Sequence, residues 1–525
     1  MTNYTRTPIS GGPAPEIGQA AELSSRLWSI ANDLRGNMDA SKFKDYILSL
    51  IFYRYLSELA KNRAETELLS SSGLSYEEMF QRQPALIRDW SLAHIGCVLE
   101  PCHLFSSMIG RIRDGVFSVR DLERAVAAIA SSAKSPEAQA AFEGIFDSLN
   151  LNDLELGREE AQRNHLISAV LEKIDGIPFS AENASVDVLG TAYMILIGLF
   201  ASDAGKKGGE FFTPTQFSRL CARLVCLGLG TISSACDPAM GSASMLLEII
   251  RETGGTGVGH FYGQEKNGTT YNLARMNMII HGIPCGQFSF YHGDTIARDH
   301  FDQLKFTVQV ANPPYSQKWS ADPSYLADPR FSDPGRLAPK SYEDFAFLQH
   351  MIYHMEENGR AAVLLPHGVL FRGGAEAAIR AHIVGKLNVV DAVIGLPSGC
   401  FHSTPIPVCC LVLAKNRRHP DSILFVDASR SFIPGKKMNT ISDGHIDRIV
   451  GACETWTEQE KFCRPVPLSQ VAANGYSLNI SRYVDTAEAK PPVDLAQVQQ
   501  DLARHRARCA ELEKQVNEQL ARLGL

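Results

Sequence analysis

The residues Asn312-Pro313-Pro314-Tyr315 follow an apolar run, Phe306 to Ala311, that reads as a buried strand. Proline has no N–H to give to a ladder, so two in succession end the strand. Its carboxyl end then presents a primary amide, two fixed carbonyls and an aromatic ring. Ligands of open α/β sheets bind at that end. An amide oxygen beside a carbonyl accepts both hydrogens of one planar NH2 group, and a neighbouring ring stacks on the flat system that carries it. Such a set suits reaction at an exocyclic amino or amide nitrogen.

Three more strand ends carry polar residues. Asp237-Pro238-Ala239-Met240-Gly241-Ser242-Ala243 joins a strand pattern to a helix pattern, and the backbone N–H groups of a turn built from small residues attract a polar or anionic group. His260 to Glu265 ends in an acid 24 positions after Gly241, where nucleotide-binding folds grip ribose hydroxyls. The third strand ends Gly293-Asp294-Thr295, and an aspartate there can accept from an adenine amino group. Each acid alone could be a helix cap; four consecutive polar strand ends on one crevice are hard to explain as caps. Upstream, Lys206 to Thr215 reads KKGGEFFTPT, a shaped turn in which Thr213 could cap a helix with Pro214 at its first position. Phe401 lies in LPSGCFHST between the last two strand patterns, where an aromatic either closes the core or meets a ligand. His402 has no identifiable partner.

The elements that must position these residues follow from periodicity. Residues 1–20, rich in Gly, Pro, Thr and Ser, read as mobile. Helical patterns follow: Leu27, Ile30, Ala31 and Leu34 on one face, Phe43 to Leu56 on another, then 76–89, 103–113, 118–132, 137–147 and 160–174, with almost no strand signal before 230. Strand candidates then fall at 231–237, 260–265, 288–293, 305–311, 360–365, 388–396 and 407–415. Helix candidates lie between them at 242–252, 268–281, 343–357 and 373–385. This alternation predicts a mostly parallel sheet with helices on both faces. The last two strands lack a long crossover and should pair antiparallel. Residues 316–341 break the rhythm and read as a functional loop. Leu495, Val498, Leu502, His505, Cys509, Leu512, Val516 and Leu523 make an amphipathic helical seam behind Pro491-Pro492, suited to a partner or to its own domain.

At 525 residues, two or three domains are expected. A net charge of −7 argues against a free-standing non-specific DNA binder; a DNA enzyme of this balance needs a local basic groove or a partner. The twelve cysteines are scattered without a CxxC pair or zinc-ligand spacing, and Cys409-Cys410 sit in an apolar run, so reduced thiols and a cytoplasmic location are expected. The longest apolar run, Val188 to Ala201, is too short to span a bilayer.

GGEFFTP, DPAMGSA, GQE, GDT, ANPPY and CFHSTPIPV occur in the order of the gamma-class amino-methyltransferases. The chain resembles the modification (M) subunit of type I restriction–modification systems over nearly its whole length, including WSIANDLRG, FKDYILSLIFYRYLSE, FAFLQHMIYHMEENGRAAVLLP and GYSLNISRYV. The resemblance implies a helical domain at 21–175, a Rossmann-like methyltransferase domain at 176–484 and a partner-binding helix at 485–525. It implies transfer of a methyl group from S-adenosylmethionine to adenine N6 in duplex DNA by base flipping, with no metal expected. By matching position, Glu210, Phe211, Phe212, Thr213, Pro214 and Thr215 would lie along the methionine part of the donor. Asp237, Gly241, Ser242 and Ala243 would line the loop beneath it, Glu265 would hold ribose and Asp294 the donor's adenine. Asn312, Pro313, Pro314 and Tyr315 would be catalytic, with Tyr315 and Phe401 stacking on the target base. Ala243 departs from the family in standing where glycine is common. Implied partners are duplex DNA, a specificity (S) subunit, a second M subunit and a restriction (R) subunit, with no membrane. Two rivals remain: a protein-glutamine or other amino-group methyltransferase, and a non-catalytic assembly subunit.

Overall fold

The computed structural model describes residues 40–68, 73–177, 213–254, 257–401, 406–435, 438–486 and 495–523. The expected helix around Leu27–Leu34, the apolar run from Val188, and Pro491-Pro492 lie outside them.

The described residues of the amino-terminal region form helices and turns with no strand, and serines set three of the helix starts. Ser75 and Glu78 form a reciprocal capping box for the helix Tyr76–Arg82, and Ser118 and Ser135 cap Val119–Ser131 and Pro136–Phe142. The helix expected over 76–89 is two, Tyr76–Arg82 and Pro84–His94, because Pro84 cannot supply an interior N–H and opens a new helix instead. The long helix Ala40–Glu67 buries Ile47, Leu50, Ile51 and Phe52 completely. Tyr55 on the same helix donates to the Ile279 carbonyl of the sheet domain at 3.2 Å.

The sheet has nine strands: β1 (Ile232–Asp237), β2 (Val258–Glu265), β3 (Phe288–His292), β4 (Phe306–Ala311), β5 (Met355–Pro366), β6 (Val390–Gly395), β7 (Val408–Ala414), β8 (Ser422–Asp427) and β9 (Cys463–Pro467). Their order is β3-β2-β1-β4-β5-β7-β6-β8-β9. β1 to β5 are mutually parallel, and β7 runs against both neighbours, so the expected antiparallel pairing is present. The carboxyl ends of β1 to β5 therefore share one edge. Alternation along β5 sends Ala361, Val363 and Leu365 into the core on one face and Ala362 and Leu364 into the core on the other. Both faces are covered, which explains why the strand reads as a continuous apolar run.

Two expectations are corrected here. The helix placed at 343–357 ends at Tyr353, and β5 begins at Met355; Gly359 permits this, since a Cβ there would lie 2.8 Å from the Phe306 carbonyl oxygen. β8 and β9 were not expected. β9 carries Pro465 and Pro467, tolerable because an edge strand pairs on one side only.

The segment 316–343 is a packed loop. Trp319, Tyr325 and Phe331 form an aromatic cluster against Ile296 and Phe347, and buried Arg330 donates to the Thr295 and Ile296 carbonyls, both at 3.0 Å.

Asp485–Leu525 forms a separate compact unit. Its helix, Leu495–Arg522, has no buried residue and leaves Leu495, Val498, Leu502, Leu512 and Val516 exposed. Among the described residues, no helix is long and apolar enough to cross a membrane.

Candidate active site

The crevice over the shared strand edge divides at β1. On the β1–β3 side, backbone holds the acids. Asp237 is 1% exposed, accepts from the Ala239 N–H at 3.0 Å, and is pushed by burial up to about 8. The turn after it passes through Gly241 at φ 53° and Ala243 at φ 62°, which opens the helix Ser244–Glu252. A left-handed alanine costs about 1–2 kcal/mol. The methyl group that departs from glycine is nevertheless fully buried, so it fits the space under the turn.

Glu265 Oε2 accepts from Gly241 N–H at 3.1 Å and Oε1 from Asn267 N–H at 2.7 Å. Burial raises this carboxyl against those N–H groups, which favour its ionised form. Asp294 Oδ1 accepts from Ile296 and Ala297 N–H, and Oδ2 from Lys266 Nζ at 2.8 Å. Burial would raise Asp294, but the Lys266 contact and the two N–H groups outweigh it and lower the carboxyl.

The helix Gly268–Ile280 supports this half from behind. Asn277 Nδ2 donates to the Ser242 carbonyl at 2.7 Å, while Arg275 and Asn272 donate to the Ala140, Glu143 and Gly144 carbonyls of the helical region.

On the β4 side, side chains hold one another. Asn312 Nδ2 donates to Thr213 Oγ1 at 3.0 Å, and Tyr315 Oη donates to Asn312 Oδ1 at 2.6 Å. Both partners are hydroxyls, able to donate or accept; in this arrangement Thr213 Oγ1 accepts and Tyr315 Oη donates. Burial raises the Tyr315 phenol well above its ordinary range, so it stays a neutral donor. Thr213 does not cap the helix Thr215–Cys226; Pro214 stands at the cap, and the Thr213 hydroxyl serves Asn312. Phe401 is 6% exposed, stacks on Phe217 at 4.6 Å and 28°, and meets Tyr315 at 6.4 Å and 74°. One face of its ring is covered by Phe217. Glu210, Phe211 and Phe212 lie outside the described residues.

The comparisons with known proteins agree on one family. The N-6 DNA Methylase family matches residues 184–491, and the HsdM N-terminal domain matches 23–174. The type I restriction enzyme MpnII methylase subunit of Mycoplasma pneumoniae is 36% identical over 495 residues, covering 90% of this chain and 91% of that one. The chain belongs to the N-6 DNA methylase family, among the type I modification subunits. A crystal structure of the type I methyltransferase subunit from Streptococcus thermophilus superimposes with a TM-score of 0.82 at 37% identity, covering 89% of this chain and all of that one. A modification subunit of a putative type I restriction enzyme from Vibrio vulnificus shares the fold with a TM-score of 0.60 at 19% identity, covering 91% of this chain and 99% of that one.

Several residues that pack around this crevice escaped the sequence reading. Asp344, fully buried at the start of the helix Asp344–Tyr353, accepts from Ser316 N–H at 2.9 Å and from Arg372 Nη1 at 3.2 Å, fixing the chain just after Tyr315. Glu343 faces Asp294 and Lys266, and burial followed by the Asp294 charge raises it to about 7. A local signal existed in Glu343-Asp344 before an apolar helix, but it reads equally as a helix start. Among the described residues, Asp299, His350 and His354 bring metal-type ligand atoms together. Arg330, 3.2 Å from His350 Nδ1 and 4.0 Å from Asp299, already supplies the positive charge there.

Proposed function

We propose that this modification subunit transfers the methyl group of S-adenosylmethionine to N6 of an adenine extruded from duplex DNA. The observation that carries the reading is the Thr213–Asn312–Tyr315 hydrogen-bonded chain at the end of β4, one strand from the carboxylate at the end of β1 and two from that at the end of β2.

The residues present fit such a donor. Glu265 accepts from the N–H groups of Gly241 and Asn267, with Lys266 N–H close by, and its two oxygens still have lone-pair capacity for a ribose hydroxyl. Asp294 Oδ2, with Lys266 as its partner, keeps one for an adenine amino group. Ser242 Oγ is buried beneath the turn without a hydrogen-bond partner among the described residues, a polar atom available to a ligand. When bound, the donor supplies a methyl group already activated by its sulfonium.

The protein therefore has no strong base to provide. The target amine is a poor nucleophile because its lone pair is delocalised into the ring. Asn312 Oδ1, with one lone pair on Tyr315 and one free, and the Pro313 carbonyl accept its two hydrogens and favour a pyramidal nitrogen. Thr213 and Tyr315 keep that oxygen aimed, so positioning and electrostatics carry the rate. Tyr315 flanks the base and favours the positive charge that develops on it. Phe401 stacks on the base with the face that Phe217 does not cover. Extrusion costs a few kcal/mol, offset by contacts in the pocket.

Target choice and cleavage fall to partners, a specificity subunit and a restriction subunit, with a second modification subunit in the complex. The exposed apolar seam of the helix Leu495–Arg522 suits the contact with the specificity subunit. The test is to purify the complex and measure methyl transfer to duplex DNA and to protein acceptors. N6-methyladenine in the DNA product is the expected result. Methyl groups recovered only in protein would overturn it.

A further inference from the structure

Phe371 presents a large ring to solvent from a backbone that is fixed on every side. It lies five residues beyond Pro366 at the end of β5, the strand next to β4 and therefore on the Asn312 side of the crevice. Its neighbours Val369 and Leu370 are each 1% exposed, whereas Phe371 is 53% exposed. Its N–H donates to the Gly368 carbonyl at 3.2 Å. The carbonyls around it are also taken: Val369 and Arg372 by buried Arg380 at 3.1 and 2.9 Å, and Leu370 by Leu478 N–H at 2.8 Å. Arg372, the next residue, reaches Ser316 Oγ at 3.4 Å and the buried Asp344 carboxylate at 3.2 Å, and its guanidinium stacks over Tyr342 at 4.1 Å. Gly368 leaves the guanidinium room, since a Cβ there would press on the end of the Arg372 side chain. The pedestal is thus tied to the residue that follows Tyr315.

A packed core would have covered such a ring, and a flexible loop would have let it fold back. Here neither occurs, and the ring stays exposed on the turn whose next residue, Arg372, reaches Ser316 just after Tyr315. A base leaving a duplex leaves a gap in the stack, and proteins that distort DNA fill such gaps with rigid apolar side chains. A planar ring on a pre-ordered backbone loses little conformational freedom on insertion. We propose that Phe371 enters the base stack as the target adenine leaves it. This rests on the base-flipping reading above.

The experiment uses the assembled complex carrying either the wild-type subunit or Phe371→Ala, with two duplexes. In one the target adenine is normally paired; in the other it faces an abasic site, where extrusion is already easy. The expected result is a loss of about ten-fold or more in methylation of the paired duplex, with little loss on the abasic one and unchanged donor affinity. Phe371→Trp should recover part of the rate. Equal losses on both duplexes, or no loss on the paired one, would overturn the proposal. Failure of the variant to assemble would also overturn it and make Phe371 a protein contact. 2-Aminopurine at the target position separates the two levels. No fluorescence rise with the wild-type complex removes the flipping reading and the wedge with it. A rise that Phe371→Ala leaves undiminished on the paired duplex removes the wedge alone.

Discussion

The two halves of the crevice hold their polar groups by different means. At the ends of β1, β2 and β3, Asp237, Glu265 and Asp294 each accept from backbone N–H groups one to three residues away or from the neighbouring turn. At the end of β4, Asn312 is held by two side chains, one of them 99 residues distant in the chain. A backbone grip survives most substitutions around it. A side-chain relay fails when any member is lost, and can also exchange partners with a substrate. The rigid half suits a ligand bound the same way each cycle, and the relay suits a base that enters and leaves.

Asn312→Ala should break the relay half alone. Methylation should fall by about a thousand-fold or more, while donor binding stays near wild type. Methyl transfer and titration calorimetry on the same preparation check both arms, and an unchanged rate would remove Asn312 from the chemistry.

Glu265→Ala should break the other half. Loss of charge-assisted bonds to ribose hydroxyls corresponds to about 1.5–3 kcal/mol, or roughly ten- to a hundred-fold in the donor dissociation constant. An unaltered constant by calorimetry would refute the ribose role.

Arg372→Ala sharpens the comparison, because it removes a support of the relay without touching the relay. The Asp344 carboxylate keeps Ser316 but loses its cation. Turnover should drop by about ten-fold with little change in donor affinity. A selective loss of donor affinity would place this arginine with the wrong half.

Glu343→Gln has a pH signature. Burial and Asp294 raise the Glu343 carboxyl from 4.5 to about 7 in the folded chain, so the fold prefers it protonated. Its stabilising contribution is present below pH 4.5 and is lost as pH rises through 7. The melting temperature of the variant should therefore gain on wild type between those limits and hold its lead above them. A constant difference across that range would show that Glu343 does not titrate there.

Removing 485–525 should affect the remaining chain least. The helix buries nothing, so thermal melting of the remainder should hardly move, while assembly with the specificity subunit fails in size-exclusion chromatography. A large fall in melting temperature would mean that the helix packs on its own chain.

Much of the β1–β3 half was legible because its grips are local. An acid at a strand end, followed by a tight turn, is a pattern a few residues long, and the parallel sheet that aligns such ends follows from alternating strand and helix periods. Asn312 and Tyr315 were legible for the same reason, since two prolines after an apolar run can mean little else than a strand end. Thr213 was legible as a residue but not in its use: a threonine before proline reads as a cap, and only contact with Asn312 shows otherwise.

What the amino-acid order determined by itself was periodicity, strand ends and the type of chemistry they can support, because these depend on neighbours within a turn or a strand. What only the tertiary structure decided was which distant groups meet, Thr213 with Asn312, Asp344 with Ser316 and Arg372, Phe401 with Phe217, and that the ring of Phe371 stays bare. Buried polar groups must find partners wherever the packing brings them, and no local pattern encodes a partner that lies a hundred residues away.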